Sequence, residues 1–137
     1  MTRIAVVLSR VLSPGEAASV AAILVGQAAA SCADLYDPEP LADRDGSRHA
    51  AIRYNTVVLE AGPGQLLRFA HEVREVGPVV TLVLFSRAGQ QLSNAFSEYV
   101  EWVRGATTEA LVPVGATVVG DDEHVRQLTR RFSLYNG

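Results

Sequence analysis

The chain is 137 residues long, with 12 basic residues, all of them arginine, against 15 acidic ones, for a formal net charge of −3. That length fits one domain built on one core, and 48% hydrophobic with 20% charged residues excludes a disordered chain. The acidic balance lacks the basic footprint of a nucleic-acid binder, and the absence of lysine excludes a Schiff-base lysine, a P-loop lysine and a Ser-Lys dyad.

The first element is the apolar run Ile4-Ala5-Val6-Val7-Leu8, which reads as a strand over residues 3–8 buried on both faces. Ser13-Pro14-Gly15-Glu16 follows. Ser13 suits an N-cap, Pro14 suits the first helical turn, and Glu16 completes a Ser-x-x-Glu capping box. The helix then runs to about Ser31, and residues 17–33 contain no Arg, Lys, Asp or Glu. A helix that faces solvent keeps a polar side, so this one is expected to be covered twice: by a sheet, and by a neighbouring helix or a second subunit. Ala18, Ala22 and Gly26 recur every four residues. Such a row of small side chains permits close approach, either inside the monomer or across a dimer interface.

Residues 34–47 are polar and turn-rich, and Asp45-Gly46 marks a hairpin turn with an extended segment after it, around residues 48–53. Thr56-Val57-Val58-Leu59-Glu60 reads as the next strand, and Pro63 opens a second helix that Gly77-Pro78 stops. Residues 79–85, all apolar but for Thr81, read as the central strand. A third helix is expected over residues 90–104, with Leu92, Phe96, Tyr99 and Val103 on one face. Residues 112–119 form the last strand, and Gly120-Asp121-Asp122 starts a final helix with Val125, Leu128 and Phe132 facing inward. Strands alternating with helices predict a single α/β domain over residues 1–137, three layers deep, with a largely parallel or mixed sheet.

The opening apolar run is five residues long and is followed by Ser9-Arg10, which does not fit a signal peptide. The uncharged helix falls short of the ~20 apolar residues that span a bilayer. The single cysteine, Cys32, cannot close an internal disulfide, fits a reducing cytoplasm and reads as a small buried hydrophobe. The arginine and alanine bias reads as the mark of a GC-rich bacterial genome. The expected location is cytoplasmic, with no membrane contact.

With the element order in view, the chain resembles the uncharacterised bacterial family catalogued as domain of unknown function 2000. The residues that carry the likeness are the Ile4-to-Leu8 strand, the Leu12-Ser13-Pro14-Gly15 turn into an Ala-rich helix, Asp45-Gly46 with His49, Val114-Gly115 with Gly120, and the closing helix with Val125 and Leu128. That family is similar in fold to the type II peptidyl-tRNA hydrolases. The resemblance implies a three-layer α/β/α domain with a mixed, mostly parallel four-stranded sheet, commonly dimeric. The activity does not follow from the fold. The Lys, Gln and His that serve the hydrolase site fall on Ala18, Ala22 and Val25, and the hydrolase Asp-Ala-Gly-Arg-Thr-Gln segment meets Arg87-Ala88-Gly89-Gln90-Gln91-Leu92.

Ligands in open α/β sheets sit beyond the carboxyl ends of parallel strands. The first strand ends at Ser9-Arg10 and the strongest one at Ser86-Arg87. If those strands are neighbours, Arg10 and Arg87, with Ser86, are candidates for a small-anion site, since paired guanidinium forks suit carboxylate or phosphate. His49 is the candidate general base. Asp121-Asp122-Glu123-His124 looks like a metal cluster but reads as acids satisfying a helix dipole, and no metal or cofactor is expected. Trp102 either packs on the sheet, lines a pocket or forms a subunit contact. Arg126, Arg130 and Arg131 read as a solvated face. Three functions stay open: a small-molecule-binding protein or enzyme with its site at the strand ends; a non-catalytic homodimeric interaction or regulatory domain; and, least, peptidyl-tRNA hydrolysis.

Overall fold

A computed structural model of the chain describes residues 1–62, 64–92 and 95–137. The chain forms β1 (Thr2–Ser9), α1 (Pro14–Ser31), the two-residue strands β2 (Leu41–Ala42) and β3 (Arg48–His49), β4 (Thr56–Ala61), α2 (Gln65–Val76), β5 (Thr81–Ser86), α3 (Arg87–Gln91), α4 (Phe96–Arg104), α5 (Thr108–Leu111), β6 (Pro113–Asp121), α6 (Asp122–Thr129) and β7 (Ser133–Leu134). The expected opening of the second helix at Pro63 lies outside the described residues.

The main sheet has five strands in the order β5-β6-β1-β4-β7. β1 and β4 are parallel, whereas β1–β6, β5–β6 and β4–β7 are antiparallel. The expected four-stranded, mostly parallel sheet is therefore corrected to a five-stranded, mostly antiparallel one. The cause lies in how the chain returns after β5. β1, β4 and β5 do run the same way, but α3 to α5 reverse the chain, and β6 comes back antiparallel between β1 and β5. β5, expected at the centre, is an edge strand. Its apolar character comes instead from cover on both faces: Val83 and Phe85 pack with α1, Leu82 and Leu84 with the α2 side.

Helices lie on both faces, so the three-layer α/β architecture holds. On one face Val6, Leu8 and Val114 meet Ala17, Val20 and Leu24 of α1. On the other, Ala5, Val7, Ala116 and Val118 meet Phe69 and Val73 of α2 and Val125 of α6. β1 is buried on both sides, with Ile4 to Val7 fully inaccessible. A Cβ added to Gly115 on β6 would stand 2.8 Å from Val20 and 3.0 Å from Leu24, so α1 settles directly onto the β6 backbone.

Within the single chain, the sheet covers α1 on one side. Ala17, Val20, Leu24 and Ala28 are buried, while Ala18, Ala22 and Gly26 face outward and Ile23 is 46% exposed. The capping box is present, with Ser13 N–H donating to Glu16 Oε1 at 2.9 Å. The expected long third helix is two shorter ones, α3 and α4, and its Ser93 and Asn94 lie outside the described residues. Trp102, on α4, is 40% exposed rather than packed away on the sheet. Cys32 is half-buried beside Ile4, Ala28 and Leu35.

Candidate functional site

The carboxyl ends of β1, β4 and β5 lie at one end of the sheet. β1 ends at Ser9, whose Oγ accepts from Val11 N–H at 3.3 Å and shapes the turn into α1. Arg10 N–H donates to the Ala61 carbonyl at 3.0 Å, tying that turn to the end of β4. The Arg10 guanidinium leans the same way: its Nε is 3.5 Å from Glu60, and an Nη donates to Ser133 Oγ at 3.3 Å. β5 ends at Ser86, which is 7% exposed and whose side chain caps no backbone group of α3. Arg87 N–H donates to the Val112 carbonyl at 2.8 Å, and its charge acts toward Glu16 of α1. The Ser13 backbone N–H, then the Ser13 hydroxyl, hold the Glu16 carboxyl below its ordinary range, and Arg87 adds to this. Because β6 stands between β1 and β5, the two arginines occupy strands that are not neighbours, and Arg10 is engaged on the β4–β7 side.

Two clefts flank the end of β5. One, of about 440 Å³, lies between α1 and α3 and is lined by Glu16, Ser19, Val20, Ile23, Phe85, Gly89 and Gln90. The other, of about 230 Å³, lies between α3 and α4 and is lined by Phe85, Gly89, Leu92, Ala95, Phe96 and Tyr99. They share Phe85 and Gly89. A Cβ on Gly89 would stand 2.5 Å from the Phe85 ring and 3.2 Å from Tyr99, so the absence of a side chain there lets the ring lie on the α3 backbone as a common wall. Phe85 and Tyr99 are tilted at 48° with centroids 6.4 Å apart. Gln90 Oε1 is buried and finds no hydrogen-bond partner among the described residues, which leaves a polar group unsatisfied beside an apolar floor.

His49 lies elsewhere. It sits on the exposed β2–β3 hairpin, which leads into the amino end of β4, about 20 Å of strand away from the carboxyl end. Its Nε2 is 2.8 Å from Asp43 Oδ2. Asp43 Oδ1 also accepts from the backbone of Asp45 and Ser47. His49 foremost, then these amides, hold the Asp43 carboxyl below its ordinary value. Asp43 thus builds the turn, and His49 is brought to it rather than to Arg10 or Arg87. His124 lies 3.8 Å from Asp121, and no group of three metal-ligating side chains is found among the described residues. No helix among them is long and apolar enough to cross a membrane.

The model of a family described as protein of unknown function, DUF2000, matches residues 2–136. The chain belongs to that family. A DUF2000 assignment carries no activity with it. Among solved structures the chain is similar to a protein of unknown function from Agrobacterium tumefaciens strain C58, with a TM-score of 0.86 and 19% identity over 98% of both chains. At that identity the likeness shows a shared fold alone. None of the functionally curated proteins matches this DUF2000 chain.

Sequence reasoning singled out Ser86 and Arg87, which lie between Phe85 and Gly89 in the chain but line neither cleft, and passed over Phe85, Gly89 and Gln90, which do. Ala88-Gly89 was visible only as a remnant of a hydrolase segment. The available signal was the pairing of a ring at the end of a strand with a glycine four residues later, one helical turn on.

Proposed function

We propose that this chain binds a small molecule in the double cleft at the carboxyl end of β5, walled by Phe85 and Gly89. The observation that carries this is the shared Phe85–Gly89 wall: it joins two clefts whose volumes together fall in the ~300–1,000 Å³ range of small-ligand sites. An apolar floor with few polar groups fits a ligand of largely apolar body. The unpartnered Gln90 Oε1 and the Glu16 carboxylate at the larger cleft supply hydrogen-bond acceptors for its polar end. This reading places Arg10 at a different part of that end of the sheet and assigns His49 no catalytic role. Peptidyl-tRNA hydrolysis is not the activity we propose, since α1 carries alanine at positions 18 and 22 and the chain has no lysine. The single free cysteine suits a cytoplasmic location.

Native mass spectrometry of gently purified protein tests the proposal, with Ile23→Trp filling the mouth of the larger cleft from an exposed position. A discrete added mass on the wild type that Ile23→Trp loses is the expected result. A protein that carries no added mass and shows no saturable ligand-induced thermal shift across a metabolite library overturns it.

A second reading, a homodimer formed through α1, has its own observation: the outward row Ala18, Ala22 and Gly26 with Ile23 is an open helix face without a charge.

A further inference from the structure

The three arginines near the carboxyl end read from sequence as a solvated face. The fold separates them. Arg131 turns away to Glu72, at 2.9 Å, and lies over the rings of Phe69 and Phe132. Arg126 and Arg130 instead join Arg3, from the opposite end of the chain, around a cleft of about 480 Å³ on the α6 side of β4. Val57, Leu59 and Phe132 give that cleft an apolar surface.

Asp122 organises the cationic rim. Its Oδ1 accepts from Arg3 Nε at 2.7 Å and its Oδ2 from Arg126 Nε at 2.9 Å. One carboxylate therefore fixes two guanidinium groups through their Nε atoms, and their terminal nitrogens have no hydrogen bond to any described residue. Arg3 is held firmly, with its side chain only 14% exposed. Arg130 has no ion-pair partner among the described residues. Glu123 also lies on the rim, so three guanidinium groups face two carboxylates and the cleft keeps a positive excess. Planar forks held in place beside an apolar wall suit an oxyanion on an apolar body.

We propose that this cleft is a binding site for small organic anions, a carboxylate or phosphate joined to an apolar or aromatic group. It is distinct from the cleft at the end of β5. Arg126 and Arg130 grip the oxyanion with Arg3 behind them, and Val57, Leu59 and Phe132 receive the apolar part. Asp122 acts as a positioning residue for Arg3 and Arg126.

The test is a titration of ¹⁵N-labelled full-length protein, following arginine Nε signals, with phenyl phosphate, inorganic phosphate and benzyl alcohol. Arg130→Gln is the variant, since Arg130 is exposed and its loss leaves the fold intact; an unchanged amide fingerprint verifies this. The expected result is a saturable shift of the Arg3, Arg126 and Arg130 signals with phenyl phosphate. Inorganic phosphate binds more weakly, benzyl alcohol does not saturate, and Arg130→Gln weakens phenyl phosphate by about tenfold. Signals of Ile23 and Leu92, in the other cleft, stay in place. The proposal is overturned if phenyl phosphate fails to saturate. It is equally overturned if it binds no better than inorganic phosphate, if Arg130→Gln leaves its affinity unchanged, or if the shifts fall on Ile23 and Leu92 instead.

Discussion

Thr117 sits in the middle of β6, wholly buried, and its hydroxyl has no hydrogen-bond partner among the described residues. A buried, unpaired polar atom costs the free energy of its desolvation without return, about 1–3 kcal/mol. Valine has nearly the same outline and no such atom. Thr117→Val is therefore expected to leave stability unchanged or raise it by up to about 1 kcal/mol, read from urea denaturation at constant m-value. A loss of more than about 1 kcal/mol shows instead that the hydroxyl is satisfied in solution. Ser9, also buried, differs because its Oγ accepts from Val11 N–H. The two residues look alike in sequence, a small hydroxyl within or ending an apolar run, and only the turn after β1 gives one of them a partner.

Between elements, the contact that decides the geometry is α1 on β6. Gly115 allows it, because any Cβ there meets Val20 and Leu24 within about van der Waals contact or closer. Gly115→Ala must push α1 outward or force its side chains off their rotamers, at a cost of about 1–3 kcal/mol. The check is a thermal melt of Gly115→Ala beside Gly26→Ala. Gly26 faces outward on α1 with open space around it, so there alanine gains helix propensity. Equal melting temperatures for the two variants refute the close approach. This pairing also shows where sequence reading stops. The capped α1, free of charge after Glu16, was legible from Ser13 to Ser31, as were β1, β4 and the Asp45-Gly46 hairpin, because hydrophobic period and cap chemistry are local. Strand order is not local. β5 was placed at the centre on its apolar residues, yet α1 and the α2 side account for all of them, and nothing in residues 79–85 says which backbone edge is paired. The neighbouring strands expected for Arg10 and Arg87 are absent for the same reason: β6, the strand that separates β1 from β5, comes later in the chain. The Arg3–Asp122–Arg126 bridge joins residues more than 100 positions apart, and no spacing rule reaches that far.

At the scale of the molecule, the two edges of the sheet are unequal. β7 is a two-residue strand with Arg10 reaching Ser133 beside it, so that edge is short and charged. β5 offers six residues, and residues 76–86 carry no charge at all. Edge strands that stay single in solution are usually shortened, charged or interrupted; among the described residues β5 has only the irregularity at Phe85/Ser86. α1 lies over the same side of the sheet, and its Ser19 and Ile23 share a cleft with Phe85, so the part of the helix beyond Glu16, which carries no charge, borders the uncharged edge. Antiparallel pairing of β5 with β5 of a second copy satisfies both backbone edges about a two-fold axis and brings the two α1 helices to the same side. If the homodimer uses this surface, sedimentation velocity shows a concentration-dependent dimer for the wild type. Thr81→Lys, which puts a charge at the start of the edge, then shifts it to monomer with the melting temperature little changed. Ile23→Arg does the same from the helix side. A wild type that sediments as a monomer at every concentration means that β5 remains an open edge and that the row Ala18, Ala22 and Gly26 stays in solvent, with Ile23 alone of that face at the neighbouring cleft.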